Sequence, residues 1–184
     1  MVLQNRTSRF AINAVMIAVY VVLSLCVISI GGLKITFEHF PVVLCAVIYG
    51  PLDAIFVGGI GELINQMTTF GFTPTTLLWI LPIVCRGLCV GMCKKILVKY
   101  MNPTQIIQQK VPLVFVVVCV CSGVFSSMLN TLALYVDSKM FGYYSFALVF
   151  GALAVRILLS VLTSIIICCA IKPILHALKH AHFV

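Results

Sequence analysis

Apolar residues run along this chain in long, nearly unbroken stretches, and most polar residues fall between them. No strict alternation of apolar and polar positions marks a half-buried strand, and no series of alternating segments of about ten residues suggests a membrane β-barrel. Six stretches read instead as helices that cross a bilayer, near residues 10–30, 40–50, 52–67, 76–94, 112–136 and 145–172. The second and third are divided by Gly50-Pro51-Leu52-Asp53, strong punctuation carrying an aspartate that would be costly at mid-bilayer. Both are short for a hydrocarbon core of about 30 Å, so tilting or a partly submerged turn is expected there. The predicted fold is an all-α integral membrane protein, a single membrane-embedded domain over residues 1–184 with six transmembrane helices.

Composition strengthens this reading. The 184 residues are 62% hydrophobic and 9% charged, with mean hydropathy +1.21, more apolar surface than a soluble domain of this size needs. The net charge of +8 does not point to nucleic acid, because the basic residues sit singly or in pairs between apolar stretches. It sets topology. Six crossings gather Arg6, Arg9, Lys94, Lys95, Lys99, Lys110, Lys172 and Lys179 on one face and leave Lys34 and Lys139 on the other. Five crossings would put the Lys94–Lys110 segment opposite the basic N-terminus, against the positive-inside rule, so both termini are expected to be cytoplasmic. No small-residue cleavage site follows the first stretch, which is therefore read as a retained helix rather than a signal peptide. The nine cysteines all lie within or at the ends of apolar runs, where a thiol serves as a small hydrophobe.

The polar residues that remain inside the apolar stretches concentrate around Glu62–Cys93. Glu62, Arg86 and Arg156 are the intramembrane ionisable set, and each should face the interior and have a partner. Two readings are open. A Glu62–Arg86 ion pair pins two helices while Arg156 reaches backbone carbonyls, or the excess of guanidinium binds an anionic ligand through bidentate forks. Asn65 and Asn130 add donors and acceptors suited to the edge of a heterocycle, and Trp79 is either an interfacial anchor or a stacking surface. Ala11, Ala14 and Ala18 fall at helical spacing in the first stretch, where small residues serve close packing in the bundle or contact with another subunit. Cys85, Cys89 and Cys93 line one helix face as packing, and His176, His180 and His182 read as a solvated helix end, so no metal site is expected. No Walker motif, nucleophile elbow or H-E-x-x-H occurs, so the chain is expected to be neither an enzyme nor a pump with its own ATPase.

At these residues the chain resembles the substrate-binding S component of an energy-coupling-factor vitamin transporter, most like the folate-type family. The resemblance rests on Ala14/Ala18, on Tyr49-Gly50-Pro51, on Gly61-Glu62-Leu63 where the family usually has Gly-Asp-Leu, on Phe72-Thr73-Pro74-Thr75, and on Leu129-Asn130-Thr131-Leu132 ahead of Arg156. Ala133 stands where the family often has Trp. The resemblance implies a multi-pass protein of the bacterial plasma membrane that captures a vitamin, folate or a related pterin-like anion, at the outer face. It implies docking through Ala11, Ala14 and Ala18 on a membrane coupling (T) subunit that works with two ATPase subunits. The ATP belongs to those partners, and no cofactor is expected in this chain. Arg86, Asn130 and Arg156 are the implied ligand residues, with Lys34, Phe37 and Thr75 from the loops, and Glu62 and Trp79 join them as candidates from the constellation itself. The alternative is an ion-coupled secondary transporter of a small organic anion with Glu62 as proton site, a class that commonly shows inverted repeats not found here.

Overall fold

The structure is a computed structural model and describes residues 6–30, 33–100 and 113–180. In chain order the elements are α1 (Arg6–Leu25), β1 (Ile28–Ile30), β2 (Leu33–Ile35), α2 (His39–Ile48), α3 (Pro51–Thr69), α4 (Thr76–Tyr100), α5 (Leu113–Met140), α6 (Phe146–Phe150) and α7 (Leu153–His180). Among the described residues, four segments are long and apolar enough to cross a membrane: Arg6–Leu25, Thr76–Leu97, Leu113–Met140 and Phe146–Ile171.

Two boundaries differ from the pattern read along the chain, while the second span is as short as expected. The first helix stops at Leu25, not at residue 30. Ile28–Ile30 instead pairs antiparallel with Leu33–Ile35, Ser29 opposite Lys34, so an otherwise helical fold carries one small hairpin. The cause is local: Ile-Ser-Ile and Leu-Lys-Ile each alternate apolar and polar residues, and two glycines separate them. The expected last span, 145–172, is broken after Phe150, and α7 then runs on through the stretch that had looked like a basic tail. Finally, α2 has only 10 residues. At a rise of about 1.5 Å per residue it extends roughly 15 Å, half of a hydrocarbon core, so it cannot cross unaided.

The corner between α2 and α3 needs Gly50. Its φ of 108° lies where a side chain is strained, and Pro51 then starts α3 with its φ already set for a helix.

Contacts along the helices fix their directions. Arg9 and Asn13 meet Asp53, Tyr20 meets Glu62, and Ser24 meets Asn65, so α1 and α3 run parallel. Gly91 abuts Pro51, Gly87 abuts Ala54, and Gly58 abuts Ile83, which makes α3 and α4 antiparallel. Val42 lies against both Gly58 and Gly87, and Lys94 donates to the Ile48 carbonyl at 2.7 Å, so α2 runs along α4 and against α3. Ser126 donates to the Pro82 carbonyl and Gly123 faces Ser164, setting α5 against both α4 and α7. With the short α2 counted, successive helices from α1 to α5 therefore alternate in direction.

At Gly91 a Cβ would lie 2.5 Å from the Pro51 Cα, so the two backbones touch there. Such approach, with Val42, Val43, Cys45, Ala46, Ala54, Val57 and Val90 buried around it, is how helices gain dispersion contact where lipid supplies no hydrophobic drive.

Candidate functional site

Arg86 is the largest fully buried side chain, 1% exposed. Its Nη2 donates to Ser164 Oγ at 2.8 Å, and Gly123 borders the pair: a Cβ there would stand 2.5 Å from that hydroxyl and in ordinary contact, 3.5 Å, with the nitrogen. Three helices, α4, α5 and α7, thus meet at one cation. Among the described residues its Nε has no hydrogen-bond partner. A buried charged donor left unpaired is expensive, and such a group marks a place where a ligand can complete the arrangement.

Glu62 is 8% exposed and satisfied by neutral donors: Tyr20 Oη at 2.8 Å, Asn65 Nδ2 at 3.1 Å and Gln66 Nε2 at 2.6 Å. It forms no ion pair with Arg86; among the described residues the ion pair is Arg9–Asp53, two oxygens of the carboxylate facing the guanidinium fork. Asp53 thus sits at the start of α3 beside a cation instead of at mid-bilayer.

Arg156 is half-buried and turns to the short helix, its terminal nitrogens donating to the Val149 and Leu148 carbonyls at 3.3 and 3.4 Å. The break between α6 and α7 leaves those carbonyls without the next helical turn, and a guanidinium can satisfy both.

Of the two readings left open in the sequence, the one with Arg156 on backbone carbonyls matches its contacts, though without the Glu62–Arg86 pair that went with it. Arg156 is engaged with carbonyls, while Glu38, which the sequence places in a loop, joins the interior. The Val42 contacts with Gly58 and Gly87 set the start of α2 level with Glu62 and one turn from Arg86. Glu38 lies just ahead of α2 and is half-buried there. The adjacent His39 buries an Nδ1 that has no partner among the described residues. The short α2 brings both residues to depth, a consequence the length of the apolar run did not announce.

The remaining candidates line up on the hairpin side of Arg86. The α4–α5 register, with Ser126 on Pro82 and Thr75 on Asp137, places half-buried Trp79 and Asn130 between those two contacts. Thr75 is buried, and its hydroxyl donates to Asp137, which also accepts from the Tyr143 hydroxyl. Asp137 thus ties the turn before α4 to the turn after α5, a role the sequence reading missed although only four acidic residues occur in the chain. Lys139 lies 4.2 Å over the Tyr144 ring beside it. Lys34 is in β2, and the Phe37 carbonyl accepts from the Phe40 N–H in the turn leading to α2. Ala11, Ala14 and Ala18 share the exposed face of α1, opposite buried Asn13, Tyr20 and Ser24. Among the described residues no three His, Cys, Asp or Glu side chains gather as a metal site.

An apolar helical bundle with several segments long and apolar enough to cross a membrane defines a multi-pass membrane protein. Residues 8–178 match the substrate-specific component of ECF transporters, and the chain belongs to that family. It is accordingly the small-molecule-binding subunit of an importer that works with the T and ATPase subunits of the ECF module. A comparison with curated proteins finds no match.

Proposed function

We propose that this subunit captures a vitamin at the outer face of a bacterial plasma membrane, with folate or a related pterin-like anion as substrate, and releases it inward after docking on the coupling subunit. One observation carries the substrate class. Arg86 is a buried guanidinium whose Nε has no partner among the described residues, and half-buried Glu38 precedes α2 about one turn from its level. A pterin edge presents N–H donors beside a carbonyl acceptor, which a carboxylate and a guanidinium can read together. Asn130, Trp79 and Thr75 are the candidates of this reading for the ring and its linker, and Arg156, Lys34 and Phe37 those for the anionic tail.

In this reading the polypeptide crosses six times with both termini cytoplasmic, α2 and the hairpin together making the second crossing. The alternating helix directions and the basic residues gathered at the Arg9–Lys94 end support it. The exposed Ala11, Ala14 and Ala18 face is the docking surface, since small residues let a second helix approach and slide.

Isothermal titration of the purified chain with folate tests the substrate, followed by uptake in proteoliposomes with and without the ECF module and ATP. Tight binding by the chain alone and uptake only with module and ATP are expected. Uptake driven by a proton gradient without the module would point to a secondary carrier.

A further inference from the structure

At the end of the bundle where α1 and α3 begin, these two helices enclose a cleft of about 320 Å³ lined by Arg6, Arg9, Phe10, Asn13 and Asp53. It is separate from the Arg86 site, and nothing in the binding of a vitamin uses it. Its wall is preorganised. Arg9 gives Nε and Nη2 to the two Asp53 oxygens and stacks 5.9 Å from the Tyr49 ring, so its fork is held still, and Nη1 has no partner among the described residues. Asn13, 3% exposed, donates to Asp53, and its amide oxygen is left without a donor among the described residues. With two arginines and one aspartate the cleft carries one net positive charge. Phe10 lines it and Leu52 precedes Asp53 in the chain; both are largely exposed, 64% and 77%, and offer apolar surface beside the charges.

We propose that this cleft holds the headgroup of an anionic glycerophospholipid, a phosphodiester bearing hydroxyl groups, with its acyl chains along Phe10 and Leu52. The phosphodiester takes donors from Arg6 and Arg9, for which planar guanidinium forks are suited. A headgroup hydroxyl supplies the donor that the Asn13 oxygen lacks. The single net charge matches a single phosphodiester, and a basic cluster at the end of a membrane helix is where anionic lipid is attracted.

The test uses the whole chain in nanodiscs of phosphatidylcholine doped with phosphatidylglycerol, with native mass spectrometry counting retained lipid and thermal unfolding read in parallel. One phosphatidylglycerol retained per chain in preference to phosphatidylcholine is expected, with a higher unfolding temperature. Arg6→Gln should lower that preference by about tenfold or more while leaving the unfolding temperature in pure phosphatidylcholine unchanged, because Arg6 makes no contact that holds the fold among the described residues. Equal retention of the two lipids, or an unchanged preference in Arg6→Gln, overturns the proposal. So does a shift of equal size with free glycerol 3-phosphate, which would show a soluble phosphate site instead of a lipid site. Folate titration of Arg6→Gln should match the parent, which keeps this inference independent of the vitamin assignment.

Discussion

Replacing Arg86 with methionine separates a binding role from a structural one, because the two predict opposite signs. The substitution keeps an unbranched chain of similar length in the space beside Gly123 and removes the charge. For binding, the ligand loses a hydrogen bond to a charged group, worth about 1.5–3 kcal/mol. At about 1.4 kcal/mol per tenfold, folate affinity should fall by about 10- to 150-fold. For folding, the protein loses one bond, Arg86 to Ser164, worth about 1–2 kcal/mol. It also sheds a cation that is 1% exposed with one nitrogen unpaired, and a charge at mid-bilayer depth costs at least about 2.5–3.5 kcal/mol. Stability should therefore stay level or rise by about 1–2 kcal/mol, as when buried ionic groups give way to apolar residues of similar volume. Calorimetric titration and thermal unfolding of the same preparations read both quantities. A variant that unfolds earlier while binding folate as before would show that Arg86 pins α4 to α7 and touches no ligand, and the substrate assignment would fail with it.

Trp in place of both Ala14 and Ala18 should abolish ATP-driven uptake and leave folate affinity within about twofold, since the side chains point away from the bundle; uptake that survives would move the docking face elsewhere. Tyr20→Phe removes one of three donors from the buried Glu62 carboxylate and should destabilise the chain by about 1.5–3 kcal/mol in thermal unfolding, whereas an unchanged transition would show that water replaces the phenol. Glu38→Gln removes the carboxylate offered to the donor edge of the ligand and should weaken folate binding by about tenfold or more in calorimetric titration, whereas unchanged affinity would take Glu38 out of the site.

Much of the architecture was legible because its causes are periodic or chemical in one dimension. Long apolar runs mark helices, Gly50-Pro51 marks a corner, and an arginine amid hydrocarbon must turn inward, as Arg86 does. The misses share a different origin. Ile28–Ile30 is apolar enough to continue a helix, and only pairing with Leu33–Ile35 across two glycines decides otherwise. Arg156 on backbone carbonyls was one of two readings open in the sequence, and only the helix break at Gly151, which frees two carbonyls within its reach, decides for it. Glu38 and Asp137 sit in segments that read as loops, and what each touches depends on how deep one helix starts or how two turns meet. The alanine face needed only helical spacing to be noticed, yet its exposure follows from Asn13, Tyr20 and Ser24 finding polar partners on α3.

The half-height of α2 has a consequence for solvent. A ribbon of two three-residue strands satisfies its peptide groups only along the shared side, and both outer edges keep bare N–H and C=O groups. Such edges cannot rest in hydrocarbon. Wherever neighbouring chain does not cover them, water must descend along the ribbon toward the first turn of α2. The oily slab is then notched on this flank, and a dissolved small molecule reaches the start of α2 through a wet dip without any long helix having to part.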